Sequence, residues 1–86
     1  MLMTENKVLP GRYYRHFKGN LYKVICIALH TETNEKMVIY QAQYGSFGLY
    51  ARPLSMFIEK VDLANYPDAK QEYRFELVET DNDPKT

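Results

Sequence analysis

Short hydrophobic segments alternate with turn-forming residues along most of this chain. Glycine, proline, asparagine and threonine mark turns at residues 10–11, 19–20, 31–34 and 45–48, because these residue types supply tight backbone bends. Val, Ile, Tyr and Leu, which favour β-strands, are concentrated between the turns. The segments that we expect to form strands are residues 12–17, 21–30, 37–44, 49–54 and 74–79.

Alternation within the strands predicts which side chains face the core. In residues 37–44 two glutamines mark the wetter face, so we expect Tyr40 and Ala42 to point inward. In the last strand Phe75 and Leu77 share the inward face. In the second strand Cys26 has apolar neighbours, and we expect it to be a small buried hydrophobic residue.

The segment after Pro53 fits two patterns. Leu54, Phe57, Ile58 and Val61 recur at helical spacing, while the same stretch also alternates as a strand would. We expect a single helical turn at Leu54–Phe57, followed by a short strand.

The fold class follows from these elements. Several short strands with frequent turns and almost no helix predict an all-β protein, and closure would hide the edges of so small a sheet. We therefore predict a five- to six-stranded SH3-like barrel with one short helical turn. With 86 residues we expect a single domain: an N-terminal arm at 1–9, the barrel at 10–79 and a disordered tail at 80–86.

Charge is balanced over the whole chain and uneven along it. There are 11 basic and 11 acidic side chains, so no net field attracts nucleic acid. The first 30 residues are mainly basic and residues 61–86 are mainly acidic. If the last strand returns beside the first, much of this charge is compensated by cross-strand pairs.

Several chemistries find no support in the sequence. A single cysteine permits neither an internal disulfide nor a cysteine-based zinc site. His16 and His30 with Glu32 lack a third ligand at metal-binding spacing, so we predict no metal and no cofactor. No nucleophile motif or phosphate-binding glycine loop is present, and we expect no enzyme activity. Neither a signal sequence nor a membrane span is recognisable, so we expect a cytoplasmic protein that does not contact membranes.

Two strands carry the side chains of a candidate binding face. Arg12, Tyr14 and His16 share one side of the first strand, and Tyr50 with Arg52 share one side of the fourth. Tyrosine and arginine are the residue types that dominate binding energy at interfaces.

Four motifs occur in order: "YRHFKG", "HTET", "VIYQAQYG" and "RPLSMF". Through them the chain resembles the bacterial family known as domain of unknown function 1653, from Pro10 to about Val61 and on to "RFELV". Two positions depart from the family pattern: Tyr50, where the family's aromatic residue is often Trp, and Gln43, where Leu is commoner. The resemblance implies a compact β-rich domain, and it brings no activity, substrate or cofactor. The polar motif residues that exceed what packing requires are Arg15, His16, His30, Glu32, Gln41 and Arg52.

Three functions are compatible with these residues. The first is a small binding module whose Tyr/Arg/His surface engages a peptide, a protein or a small anionic ligand. The second is a nucleic-acid-binding small barrel that uses the basic N-terminal third. The third is a purely structural polar network of Arg15, His30, Glu32 and Arg52 without a ligand. The residues predicted to bind a ligand are Arg12, Tyr14, His16, His30, Tyr50 and Arg52.

Overall fold

The computed structural model of the chain describes residues 8–78. The elements are β1 (Tyr13–His16), β2 (Leu21–Leu29), β3 (Lys36–Ala42), β4 (Leu49–Pro53), α1 (Leu54–Phe57) and β5 (Phe75–Leu77). The first seven residues of the predicted arm and the predicted tail at 80–86 lie outside the described residues. Among residues 8–78 no helix is long and apolar enough to cross a membrane.

The strands form one antiparallel sheet in the order β4-β3-β2-β1-β5. The predicted β-rich character is confirmed, and the predicted helical turn occupies Leu54–Phe57 as expected. The last strand does return beside the first, with Tyr14 opposite Leu77. Arg15 stands directly opposite Glu76 in this pairing, so opposite charges face each other across these two strands.

The sheet is not closed into a barrel. β4 and β5 lie at the two ends of the strand order and do not pair with each other. The short strand predicted after α1 is reduced to a single bridge between Lys60 and Tyr73. The three residues of β5 pair with Tyr14, Arg15 and His16 of β1, and β5 lies four strand positions away from β4 in the sheet order. The SH3-like assignment therefore stays a prediction.

The core lies on one face of the sheet and is largely aromatic. Val24 and Val38 are fully buried at its centre, and α1 adds Phe57, which is 1% exposed. The inward positions predicted for Tyr40, Ala42 and Phe75 are confirmed, since all are buried. Leu77 is exposed at the end of β5. Val8, from the segment predicted to be an arm, packs into the same cluster, as do Tyr14, Tyr40, Phe57 and Phe75.

A β-bulge corrects the expectation for Cys26. The β2–β3 register shifts between Val24 and Cys26, so Ile25 is the extra residue and Cys26 stands opposite Ile39. One extra residue reverses the side of the sheet to which the following residues point. Cys26 is therefore exposed, not buried, and Ile27 takes the position opposite the buried Val38.

Candidate functional site

The ring of Phe75 is the centre of an aromatic cluster that joins several strands. Phe75 is 6% exposed, and the ring of Phe57 stacks on it with an interplanar angle of 5°. The surrounding rings, by distance between centroids, are Phe57 at 4.1 Å, His16 at 4.9 Å, Tyr40 at 5.5 Å and Tyr22 at 5.7 Å. Because Phe75 is packed against all four of these rings, it holds them in fixed positions relative to one another.

Part of this cluster reaches solvent. Tyr50 packs against Tyr40 and Tyr22 at centroid distances of 5.7 and 6.4 Å, and its side chain is half exposed. Tyr44, also exposed, packs against Tyr22 at 5.6 Å. We call the partly exposed side chains that contact Phe75 directly, or through Tyr22 and Tyr40, the Phe75 surface: His16, Tyr22, Tyr44, Tyr50 and Arg52.

Arg52 supplies the cation of the Phe75 surface. Its Nε donates a hydrogen bond of 3.1 Å to the Tyr40 hydroxyl, and its guanidinium carbon lies 5.7 Å from the centroid of Phe75. Both contacts fix the plane of the guanidinium, which stacks readily on aromatic rings. Within residues 8–78 its two Nη groups make no hydrogen bond, and Arg52 forms no salt bridge. The guanidinium is thus held in place with its outer donors available.

His16 is a neutral donor beside this cation. Its Nδ1 accepts a hydrogen bond of 3.1 Å from the backbone N–H of Lys18, so the proton of the neutral ring lies on Nε2. Burial, followed by the nearby charges of Arg52, Arg74 and Lys18, lowers the pKa of His16 from 6.5 to about 4. The imidazole is therefore uncharged at pH 7.

The two tyrosines at the opposite side are joined through their hydroxyls. The Tyr22 and Tyr44 oxygens are 2.7 Å apart and share a hydrogen bond. Burial, followed by this hydrogen bond, raises the pKa of Tyr22 to about 12. Tyr22 thus presents an uncharged phenol at pH 7. Beside them, a Cβ atom at Gly48 would lie 3.1 Å from the Tyr50 hydroxyl, so glycine leaves room for that side chain.

The structure brings together three of the six residues predicted to bind a ligand: His16, Tyr50 and Arg52. Tyr14 belongs to the core, where it is 5% exposed and its hydroxyl accepts a hydrogen bond from the Leu9 N–H at 2.9 Å. Arg12 is exposed and comes just before β1, four residues before His16 in extended chain, roughly 13 Å away. It borders Tyr14 and lies away from the Phe75 surface.

His30 has a local role in the turn between β2 and β3. Its Nδ1 accepts hydrogen bonds from the backbone N–H groups of Glu32 at 3.1 Å and Thr33 at 3.4 Å. Arg15, another member of the hypothetical polar network, donates instead to the Gly19 carbonyl. Arg52 in turn donates to the Tyr40 hydroxyl. The hydrogen bonds of His30, Arg15 and Arg52 thus lie in separate parts of the fold and do not join these residues to one another.

Tyr22, Tyr44 and Phe75 belong to the site but were not among the six residues predicted to bind a ligand. Tyr22 and Phe75 look like ordinary strand residues in the sequence, and their meeting depends on β5 pairing beside β1. The turn at residues 19–20 between the first two predicted strands was the available signal, since a hairpin there places Tyr22 opposite Tyr14. Among residues 8–78 no three His, Cys, Asp or Glu side chains group as metal ligands.

Comparisons with known proteins identify the family. The family model described as "Protein of unknown function (DUF1653)" matches residues 12–77. The chain is also similar to a crystal structure of a DUF1653 protein from Bordetella bronchiseptica, with a TM-score of 0.69 and 34% sequence identity over 84% of this chain and 88% of that chain. No curated protein matches the sequence. The Phe75 surface lies entirely within the range matched by the family model.

Proposed function

The chain belongs to the DUF1653 family of proteins of unknown function, and we propose that it is a small binding module for an anionic ligand with a flat apolar portion. The ligand's charge would meet Arg52, and its apolar portion would pack against the exposed rings of Tyr50 and Tyr44. The observation that carries the proposal is the guanidinium of Arg52, which Tyr40 and Phe75 fix in place while no acceptor among residues 8–78 engages its Nη donors.

Electrostatics at the Phe75 surface favour an anion. Arg74, the other guanidinium that depresses the His16 pKa, is paired with Glu59 at 2.7 Å. Arg52 has no such carboxylate within residues 8–78. A hydrogen bond between a guanidinium and an anion contributes about 1.5–3 kcal/mol, and the Nε2–H of the neutral His16 adds a second donor nearby.

Aromatic contact would supply the remaining affinity. Tyr50 and Tyr44 are 48% and 41% exposed, although both rings pack edge-on against Tyr22 and Tyr50 also packs at a tilt against Tyr40. Rings that are already fixed lose little conformational entropy when a ligand packs on them. A fixed cation beside fixed rings supports a ligand that carries both an anionic group and a flat apolar portion.

The proposed role is binding without catalysis. General acid–base groups work best when their pKa lies near the working pH. The two perturbed groups of the Phe75 surface are shifted away from neutrality, His16 to about 4 and Tyr22 to about 12. Both therefore act as fixed, uncharged hydrogen-bonding groups at pH 7.

Chemical-shift titration of the full chain with phenyl phosphate tests this function. Inorganic phosphate and phenol serve as the two half-ligands, and a thymidine oligonucleotide tests the nucleic-acid alternative. We expect saturable shifts at His16, Tyr50 and Arg52 with phenyl phosphate, and weaker binding of each half-ligand. Shifts scattered over the chain without saturation would contradict the proposal. Tighter binding of the oligonucleotide, with an affinity that falls steeply with salt, would replace it by the nucleic-acid function.

A further inference from the structure

The polar atoms beside the Phe75 ring divide into free donors and occupied acceptors. The Nη groups of Arg52 and the Nε2–H of His16 make no hydrogen bond to any acceptor among residues 8–78. The Tyr40 hydroxyl oxygen already accepts a hydrogen bond from Arg52 Nε. His16 Nδ1 likewise accepts one from the backbone N–H of Lys18. A ligand group held between Arg52 and His16 therefore meets N–H donors, and these two side chains offer it no acceptor.

Acidic side chains are absent from most of the elements around this ring. The sequences of β1, β2, β3, β4 and α1 contain no Asp or Glu. Glu76 of β5 directly follows the buried Phe75, so alternation directs it to the other face of the sheet. Glu59, which comes after α1, is paired with Arg74 at 2.7 Å. The described elements therefore place no free carboxylate beside Arg52 that would accept a ligand proton or repel an anion.

Lys18 adds a second positive charge close to His16. Its Nζ lies 5.9 Å from the centroid of Phe17, and the Phe17 ring stacks on His16 at 4.6 Å. After burial, the causes that lower the pKa of His16 are the charges of Arg52, Arg74 and Lys18. Arg74 is already paired with a carboxylate, whereas Arg52 and Lys18 form no salt bridge within residues 8–78. Two uncompensated positive charges match an anion of charge −2.

We propose that the anionic end of the ligand is the dianion of a phosphate monoester, bound by Arg52 and His16 in the field of Lys18. The inference rests on the proposed binding function and narrows its ligand class. Because Nε of Arg52 is engaged, its two Nη groups are left to bind two phosphate oxygens. The Nε2–H of His16 would bind the third oxygen, and the organic group of the ester would pack on Tyr50.

The protonation state of the ligand follows from the same donors. A phosphate monoester loses its second proton with a pKa near 6, and its three terminal oxygens then all accept hydrogen bonds. The monoanion retains one O–H, which needs an acceptor that Arg52 and His16 do not supply. A sulfate ester has the same tetrahedral shape but only a single negative charge, so it gains less from the second cation.

Titration of the ligand should therefore control binding between pH 7.5 and pH 5.5. With its pKa lowered to about 4, His16 stays neutral over this range, and Tyr22, with its pKa raised to about 12, does too. Arginine and lysine keep their charge, and most carboxylates stay ionised. The charged groups near His16 are Arg52 of β4, Lys18 after β1, Arg74 before β5 and the Glu59 partner of Arg74.

Calorimetric titration of the full chain with phenyl phosphate and with phenyl sulfate, at pH 7.5 and 5.5 and constant ionic strength, tests the proposal. We expect phenyl phosphate to bind at least about fivefold more tightly than phenyl sulfate at pH 7.5. The ratio should fall about fourfold at pH 5.5, as the dianion is protonated. A ratio near one at pH 7.5, or a ratio that does not change with pH, would overturn the dianion and leave the binding function in place. Absence of saturable binding by either ligand would overturn the binding function itself.

Lys18→Gln and Lys36→Gln test the second cation. Both replace an exposed lysine, and Lys36 lies four residues before Tyr40 at the start of β3. We expect Lys18→Gln to lower the ratio of phosphate to sulfate affinity at pH 7.5 about twofold or more, because the dianion loses the larger attraction. Lys36→Gln should leave the ratio unchanged. Equal ratios in the two variants would overturn the contribution of Lys18.

Discussion

The guanidinium carbon of Arg52 lies 5.7 Å from the ring centroid of Phe75, although the two residues belong to strands at opposite ends of the sheet. The contact is possible because twisting of the sheet brings long side chains from β4 and β5 together over its inner face. Side chains therefore connect the two edges where backbone pairing does not. The candidate site is built at this connection.

Replacing Phe75 should destabilise the fold more than replacing its neighbour on β5. Phe75→Leu removes the ring that stacks on Phe57, so we expect a loss of about 1–2 kcal/mol in the free energy of unfolding. Leu77→Ala, at an exposed position of the same strand, should cost less than about 1 kcal/mol. Urea denaturation at pH 7 measures both. Equal losses would show that Phe75 is not the centre of the cluster.

His16 should make the stability depend on pH between its ordinary pKa and its folded-state pKa. The folded chain lowers the pKa from 6.5 to about 4, so the unfolded chain binds the proton first as the pH falls. The contribution is complete above pH 6.5 and is lost as the pH falls toward 4. His16→Asn keeps an acceptor for the Lys18 N–H but does not titrate. We therefore expect the stability difference between wild type and His16→Asn to become less favourable to the wild type at low pH.

Urea denaturation of the two proteins at pH 7 and pH 4.5 measures this difference. The carboxylates titrate in both proteins, so the comparison isolates the histidine. An NMR titration of the His16 ring should give a midpoint near 4, and Arg52→Gln should raise it only part of the way to 6.5, because burial is the larger cause. A wild-type midpoint near 6.5, or a stability difference that does not change with pH, would contradict the environment described for His16.

Cys26 should react readily with a thiol reagent in the native protein. The bulge at Ile25 turns this side chain to the exposed side of the sheet. We expect the native chain to react with Ellman's reagent within about tenfold of its rate in urea, because access is not limited by unfolding. Ala28→Cys in a Cys26→Ser background gives an exposed reference thiol on the same strand. Reaction of native Cys26 only at the rate of global unfolding would show that the bulge is absent.

Local patterns predicted most of the elements. Alternation located the strands and the inward positions of Tyr40 and Phe75, and helical spacing located the turn at Leu54–Phe57. The bulge at Ile25 escaped prediction because one extra residue leaves no mark in a strand whose two faces are both apolar. Closure of the sheet was predicted from the cost of exposed edges, but β4 and β5 stand at the two ends of the strand order and do not pair with each other.

The candidate site was predicted only in part, for a related reason. Alternation assigns each side chain to a face of its own strand, and it correctly grouped Tyr50 with Arg52. It does not fix how far apart two residues on one face lie, so Arg12 was grouped with His16 although the strand separates them. The meeting of His16 and Arg52 depends on sheet order and twist, which are properties of the whole fold.

The affinity of phenyl phosphate for Arg52→Gln, compared with Arg12→Gln, tests the central claim most directly. Both variants remove one arginine charge, so the total charge of the protein is the same in each. Because only Arg52 lies at the Phe75 surface, we predict that Arg52→Gln raises the Kd at least about tenfold, or about 1.4 kcal/mol, while Arg12→Gln changes it less than about twofold. Equal effects of the two variants, or a Kd unchanged by Arg52→Gln, would contradict an anion site built on Arg52.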